Sequence, residues 1–123
     1  MIASGPSTEV YPNVPMQEKR RYERLAVDLP VILRHGGRLI PATALNLSCG
    51  GMYLHADHHD IRPDLPVEVI FDLGDDQRDI SMRGQILRVD REGQEPAGLG
   101  IRFTNLFSLS HKAVEHYVHQ NLN

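Results

Sequence analysis

Apolar and polar residues alternate in short runs through most of this chain, and the alternation predicts β-strands. The first run places four branched apolar residues at every second position: Val27, Leu29, Val31 and Leu33. A period of two is typical of a half-buried strand. Pro30 cannot donate to a strand ladder, so we expect an edge or a bulge there. The next residues, His35, Gly36 and Gly37, predict a hairpin turn.

Five further runs follow with turn residues between them. They cover about residues 38–47, 52–55, 67–73, 80–89 and 99–103. In the second run we expect Leu39, Leu45 and Leu47 to share one face. In the fifth, the apolar phase shifts from Ile86 to Leu87 and Val89, which predicts a β-bulge near residues 85–87.

The pattern changes from strand to helix near the carboxyl end. Ala113, Val114, Tyr117 and Val118 fall on one helical face, and Lys112, Glu115, His116 and His119 fall on the other. Ser108 or Ser110 is suited to the N-cap. We therefore predict a mainly β fold: a six-stranded antiparallel β-barrel with a C-terminal amphipathic α-helix packed against it.

The amino end has a different composition. Residues 1–18 contain three prolines and no periodic apolar pattern, which predicts a flexible N-terminal leader before a domain spanning 19–123. The single cysteine, Cys49, excludes an internal disulfide, and the sequence has no apolar stretch of membrane-spanning length. These features favour a cytoplasmic protein.

Positive charge is concentrated where the leader meets the first strand. Lys19, Arg20, Arg21 and Arg24 lie within six residues, although the net charge of the chain is −3. Guanidinium groups bind phosphate bidentately. A polymeric nucleic acid would require a more extensive basic surface, so the local cluster favours a small ligand with few phosphates.

A second polar segment, Asn46-Leu-Ser-Cys-Gly-Gly51, joins the second and third predicted strands. The Asn46 amide is suited to hydrogen bonding a base, and the Ser48 hydroxyl to donating to an acceptor. We expect the N–H groups of Gly50 and Gly51 to form an anion-binding nest. We also expect Gly51 to allow close approach of a ligand and a positive φ.

Together, Arg20-x-x-x-Arg24 and Asn46-x-Ser48-x-x-Gly51 resemble the two-part signature of the PilZ domain, a bacterial receptor module for cyclic di-GMP. The resemblance covers about residues 19–119 and implies the same barrel and helix. It assigns the nucleotide-binding site to Arg20, Arg24, Asn46, Ser48 and Gly51, with secondary contacts from Lys19, Arg21 and Gly50.

The resemblance also implies a second-messenger receptor that is not an enzyme. On this interpretation the arginine arm closes over cyclic di-GMP and the resulting surface recruits a protein effector. The four cations at positions 19–24 predict two ligand molecules per chain, because two stacked ligands carry four phosphates. We expect no catalytic residues, no metal site, no cofactor and no membrane insertion.

Other interpretations of the sequence remain open. A PilZ-fold adaptor that contacts only proteins is the main alternative, and a barrel that binds single-stranded nucleic acid would need more exposed aromatic residues. The cluster of His55, His58 and His59 with Asp57 and Asp60 lacks the usual spacing of a zinc site and favours a solvated loop. Cys49 has no histidine partner that would indicate a reactive thiol.

Overall fold

The computed structural model describes residues 23–57, 61–91 and 97–122. They form six antiparallel strands and one helix. The elements are β1 (Leu25–His35), β2 (Arg38–Leu47), β3 (Gly51–Ala56), β4 (Pro66–Phe71), β5 (Ile80–Asp90), β6 (Ala97–Phe103) and α1 (Leu109–Asn121). The strands close into a barrel in the order β1-β2-β3-β6-β5-β4, which confirms the predicted fold class.

The hairpin between β1 and β2 follows the predicted turn. Gly36 and Gly37 both have positive φ, +58° and +81°, as a two-residue hairpin turn requires. Pro30 pairs with Thr43 of β2 and precedes Val31, where pairing with β4 begins. The expected edge environment of Pro30 is therefore confirmed.

The barrel interior is filled by aliphatic and aromatic side chains from every strand. Leu33, Leu54, Val69, Met82 and Leu99 are fully buried. Val114 and Val118 of α1 extend the same core at one side of the barrel. Burial of these apolar side chains supplies most of the driving force for folding.

The prediction for β2 is wrong in one respect. Leu39 and Leu45 lie outside the barrel, 63% and 36% exposed, whereas Ile40, Ala44 and Leu47 are buried. The register of β2 with β3 shifts between Ala44 and Asn46, so Leu45 is an extra residue at a bulge. A bulge reverses the inward phase of the residues that follow it, and Leu47 therefore faces the core while Leu45 does not.

The bulge predicted in β5 is confirmed by a register shift between Ile86 and Arg88. Leu87 is the extra residue there and is 61% exposed, so the expectation that it faces inward is wrong. Val89, after the bulge, packs against the core as expected.

Helix α1 begins at an N-cap formed by Ser108, whose side chain accepts a hydrogen bond from the His111 amide. Val114 and Val118 are buried, and Lys112, His116 and His119 are exposed, as the helical pattern predicts. Among the described residues, no helix is long and apolar enough to span a bilayer.

Candidate ligand-binding cleft

A cleft of about 460 Å³ opens on the outside of the barrel, beside the turn between β2 and β3. Five of its lining residues are predicted site residues: Arg24, Asn46, Ser48, Gly50 and Gly51. The other three predicted site residues, Lys19, Arg20 and Arg21, lie outside the described residues, as does the leader. The part of the signature that the structure describes is therefore gathered around one cavity.

The turn is organised by the Ser48 hydroxyl. Ser48 is 8% exposed, and its Oγ accepts hydrogen bonds from the Gly50 and Gly51 amides, both at 3.1 Å. The hydroxyl lies 3.2 Å from the Gly51 carbonyl oxygen, to which it donates. The Ser48 amide donates to the same carbonyl at 2.8 Å.

These bonds revise one expectation about the turn. The Gly50 and Gly51 amides already have Ser48 as their partner, so they do not form a vacant anion nest. The Ser48 hydroxyl donates within the turn, to the Gly51 carbonyl oxygen, and its contact with a ligand stays a prediction. Ser48 thus shapes the wall of the cleft by holding the turn closed.

One of the two expectations for Gly51, a positive φ, is wrong. Its φ is not positive, since the glycines with positive φ in the described chain are Gly36, Gly37 and Gly74. A Cβ at position 51 would overlap the carbonyl oxygen of Ile101 and lie 3.1 Å from its carbon. Gly51 is required because β3 passes too close to the β6 backbone to accommodate any side chain.

The bulge in β2 determines where Asn46 lies. Because Leu45 is the extra residue, Asn46 pairs with Tyr53 of β3 and is half-buried at the cleft wall. Its amide group offers both a donor and an acceptor to a ligand. Arg24, just before β1, contributes an exposed guanidinium to the same cavity.

Tyr53 and Arg88 form one wall, and both are held by Asp90. Asp90 Oδ2 accepts hydrogen bonds from the Tyr53 hydroxyl at 2.9 Å and from Arg88 Nε at 3.1 Å. The Arg88 guanidinium carbon lies 5.5 Å from the centre of the Tyr53 ring, a cation–π distance. The ring covers Gly98 of β6, where any Cβ would overlap the tyrosine hydroxyl oxygen.

Burial and the Asp90 carboxylate both raise the pKa of Tyr53, against a smaller opposing effect of Arg88. The phenol therefore stays protonated and keeps donating to Asp90 at neutral pH. Asp90 in turn fixes the Arg88 guanidinium beside the cavity. This wall is a planar surface made of the Tyr53 ring and the Arg88–Asp90 ion pair, and its contacts are already formed in the structure.

Arg102 of β6 adds a further cation to the cleft. Its guanidinium donates to Gln85 Oε1 at 2.9 Å. Together with Arg24 and Arg88, it gives the described lining three guanidinium groups, and no carboxylate side chain is among those lining residues. The local charge is therefore positive in a chain whose net charge is −3.

Sequence reasoning missed Tyr53, Arg88 and Arg102. The signal for Arg102 was present, because Leu99, Ile101 and Phe103 face inward and thus turn Gly100 and Arg102 outward. Arg88 was harder to place, since the β5 bulge changes the facing of the residues after Ile86. The remaining lining residues are Met52, Leu87, Gly100 and Ile101.

Cys49 lies in the turn but lacks the features of a reactive thiol. Burial, and then the charge of Glu115, raise the pKa of Cys49 above its usual value. The thiolate is therefore disfavoured, which agrees with a packing role against the core.

The family model of the PilZ domain matches residues 18–120 of the chain. The chain belongs to the PilZ domain family. Among curated proteins, no sequence matched it.

Two solved PilZ-related structures resemble the barrel with a TM-score of 0.69. The Bacillus subtilis inhibitor of motility (MotI/DgrA) is 20% identical, with 85% of this chain and 52% of that protein covered. The PilZ domain of YcgR from Escherichia coli, determined with c-di-GMP, is 14% identical, with 85% of this chain and 92% of that domain covered. YcgR from Escherichia coli in complex with c-di-GMP has a TM-score of 0.61 and is 17% identical, with 83% of this chain and 45% of YcgR covered. The chain thus spans about half the length of MotI/DgrA and of YcgR.

Proposed function

We propose that this PilZ domain protein is a receptor for cyclic di-GMP and relays the level of that second messenger to a partner protein. The observation that carries the proposal is the gathering of Arg24, Asn46 and the Ser48–Gly51 turn around one positively charged cleft. The YcgR structures with c-di-GMP support the same ligand for a chain of the same fold.

The lining chemistry suits a nucleotide with two phosphates. Arg24 and Arg102 offer guanidinium forks to phosphate oxygens or to the O6 and N7 acceptors of guanine. Tyr53 and Arg88 offer planar surfaces on which a purine can stack. Asn46 supplies the directional hydrogen bonds that select one base over another.

The arm that contains Lys19, Arg20 and Arg21 completes this proposal. We expect it to close over the bound ligand, so that binding creates a new surface for the effector. Its cations favour two ligand molecules per chain, with Lys19 supporting the second. Nothing in the proposed chemistry forms or breaks a covalent bond, so the role is that of a receptor and not of an enzyme.

Isothermal titration with cyclic di-GMP tests the proposal. We expect a dissociation constant in the low-micromolar range or tighter, with two ligands per chain. Replacing either arginine alone, Arg24→Ala or Arg20→Ala, should weaken cyclic di-GMP binding by about 2–4 kcal/mol. Each variant removes a charge-assisted contact to the ligand. Higher ionic strength should weaken binding, because exposed charges are screened over about 8 Å at physiological salt.

Arg62→Ala is the matched control. Arg62 is an exposed arginine whose side chain bonds Asp64, and its amide bonds His35 at the end of the barrel opposite the cleft. Its loss should leave the affinity unchanged. No heat from correctly folded protein would overturn the proposal and favour a PilZ-fold adaptor that contacts only proteins. Saturation at one ligand at low salt would overturn the stoichiometry alone.

A further inference from the structure

The peptide group between Cys49 and Gly50, in the turn beside the cleft, is hydrogen bonded at both of its ends. Its amide, from Gly50, donates to Ser48 Oγ at 3.1 Å. Its carbonyl oxygen, from Cys49, lies 2.8 Å from His111 Nε2. Because a peptide group is planar, the two bonds together fix the orientation of the whole unit. Ser48 belongs to the turn itself, whereas His111 lies in α1, 62 residues beyond Cys49 in the chain.

The hydrogen bonds of the His111 ring define its tautomer. The side chain is buried, with 6% of the residue exposed. Because a carbonyl can only accept, Nε2 carries a proton and donates it to Cys49. Nδ1 accepts a hydrogen bond from the Phe107 amide at 3.3 Å, so it carries none. Glu115 Oε1 is 3.9 Å from Nδ1, which is beyond hydrogen-bond distance. The single ring proton is therefore directed to the Cys49 carbonyl.

Part of this arrangement serves helix α1 itself. The His111 amide donates to Ser108 Oγ at 3.0 Å, and the His111 ring accepts from the preceding Phe107 amide. The pair resembles a capping box, in which a side chain in the first turn of a helix accepts a bond from an amide just before the helix. A capping box needs only an acceptor, and Nδ1 is that acceptor. Capping therefore does not explain the donor at Nε2 or its bond to Cys49.

The backbone at Phe107 favours the tautomer that donates to Cys49. The φ of Phe107 is +71°, a conformation that bulky residues rarely adopt. Such a conformation persists only where surrounding contacts fix it, and it is typical of functional sites. In this conformation the Phe107 amide donates to His111 Nδ1, which keeps the ring proton on Nε2.

The turn is held from outside at a second point as well. The Gly50 carbonyl accepts a bond from the Phe103 amide, at the end of β6, at 2.8 Å. Ser48, Gly50 and Gly51 line the described cleft, whereas His111 is not among its lining residues. His111 thus acts on the cleft wall from behind, through the Cys49 carbonyl.

We propose that His111 is a positioning residue of the cyclic di-GMP site. Its Nε2 proton holds the Cys49–Gly50 peptide group, so that the wall formed by Ser48, Gly50 and Gly51 has its binding shape before the nucleotide arrives. Without this bond the peptide group would rotate more freely, and binding would have to order the turn at a cost to affinity. The role in binding rests on the proposed function, whereas the bond between α1 and the turn stands on the geometry alone.

Two variants with side chains of equal length test the proposal. His111→Gln keeps a donor for the Cys49 carbonyl, whereas His111→Met has none. We expect isothermal titration to show cyclic di-GMP binding about fivefold or more weaker in His111→Met, and within about twofold of the unmodified protein in His111→Gln. The Gly50 amide should exchange its hydrogen at least about tenfold faster in His111→Met than in His111→Gln. His116→Met, at an exposed histidine of the same helix, is the matched control and should change neither quantity.

Ser108→Ala separates positioning from helix capping. This variant removes the Ser108 cap and leaves both ring bonds of His111 in place. It should lower the melting temperature, because a helix cap is lost, and leave the affinity for cyclic di-GMP unchanged. Equal losses of affinity in Ser108→Ala and His111→Met would show that His111 acts only through helix stability, and would overturn the proposal. So would full affinity in folded His111→Met, although the receptor assignment would then stand.

If His111→Met is poorly folded, the ring of the unmodified protein decides. Long-range ¹H–¹⁵N spectra should show the ring proton on Nε2, and the Nε2 resonance should shift at saturating cyclic di-GMP. A proton on Nδ1, or an unmoved Nε2 resonance while the nucleotide binds, would overturn the proposal. Failure of the unmodified protein to bind cyclic di-GMP would overturn the proposed function instead. The Gly50 exchange rates and the ring tautomer would still decide whether His111 holds the turn.

Discussion

At the scale of single residues, the cleft depends on small groups in confined places. Ser48 Oγ is the acceptor for two amides in the turn, and Gly51 lies where a Cβ would overlap the backbone of β6. Both residues belong to the signature that indicates nucleotide binding, yet their contacts in the structure are with the protein itself. In the structure the two residues therefore set the shape of the wall, and direct contact of either with a ligand stays a prediction.

Replacing Ser48 with alanine should destabilise the protein before it affects any ligand. Two amides would lose their acceptor, and each unsatisfied buried donor costs about 1–3 kcal/mol. We expect a fall in the free energy of unfolding, measured by urea denaturation, and a secondary loss of cyclic di-GMP affinity. Ser81→Ala, which removes a hydroxyl that donates to Glu68 outside the cleft, is the comparison. An unchanged unfolding free energy with lost affinity would instead make Ser48 a direct ligand contact.

Gly51→Ala should be strongly destabilising, by about 3 kcal/mol or more, because the new Cβ forces apart the paired backbones of β3 and β6. Gly100→Ala is a matched control on the neighbouring strand. A Cβ at position 100 would lie 3.7 Å from the Arg88 Cβ, which is an ordinary contact. Thermal unfolding of both variants provides the measurement. Similar melting temperatures for the two would show that β3 and β6 separate easily and that the steric account of Gly51 is wrong.

At the scale of elements, the two bulges decide which side chains face the cleft. The bulge at Leu45 brings Asn46 to the cleft, and the bulge at Leu87 brings Arg88 to it. Each adds one residue to a strand, so outward and inward positions exchange beyond it. The cleft is in this sense a consequence of two local departures from regular pairing.

Strand β5 also contains the residue that holds Arg88 in place. Asp90, two residues after Arg88, bonds both Arg88 and Tyr53. Asp90→Asn should weaken cyclic di-GMP binding several-fold, because Arg88 would no longer be held in place, and Arg88→Ala should weaken it about tenfold or more. Stability should change little, since exposed ion pairs contribute about 0–1 kcal/mol. Titration of both variants checks this, and full affinity in Asp90→Asn would show that Arg88 binds without Asp90.

The alternation of apolar residues was sufficient to predict the six strands, the hairpin at Gly36-Gly37 and the helix after Ser108. It was insufficient in β2, where the apolar pattern gives no sign of the bulge. Leu39, Leu45 and Leu47 lie an even number of positions apart, and only the pairing with β3 shows that Leu47 faces inward and the other two outward. The same holds for Gly51, whose need for a bare backbone comes from β6, some fifty residues away. Local periodicity thus predicts elements, whereas contacts between distant strands determine the details of the site.

At the scale of the whole molecule, the buried His111 ring connects helix α1 to the turn that borders the cleft. The ring bonds the Cys49 carbonyl on one side and the Phe107 amide on the other. The acidic net charge of the chain leaves the cleft as a local cationic site for an anionic ligand.

The central claim is that cyclic di-GMP binds in this cleft, and a ¹⁵N-resolved titration of the unmodified protein tests it most directly. Saturating cyclic di-GMP should shift the amide resonances of Asn46, Gly50, Tyr53, Gly100 and Arg102, and leave the hairpin at Gly36 and Gly37 unmoved. An unchanged spectrum from folded protein, or shifts confined to the hairpin end of the barrel, would contradict the account.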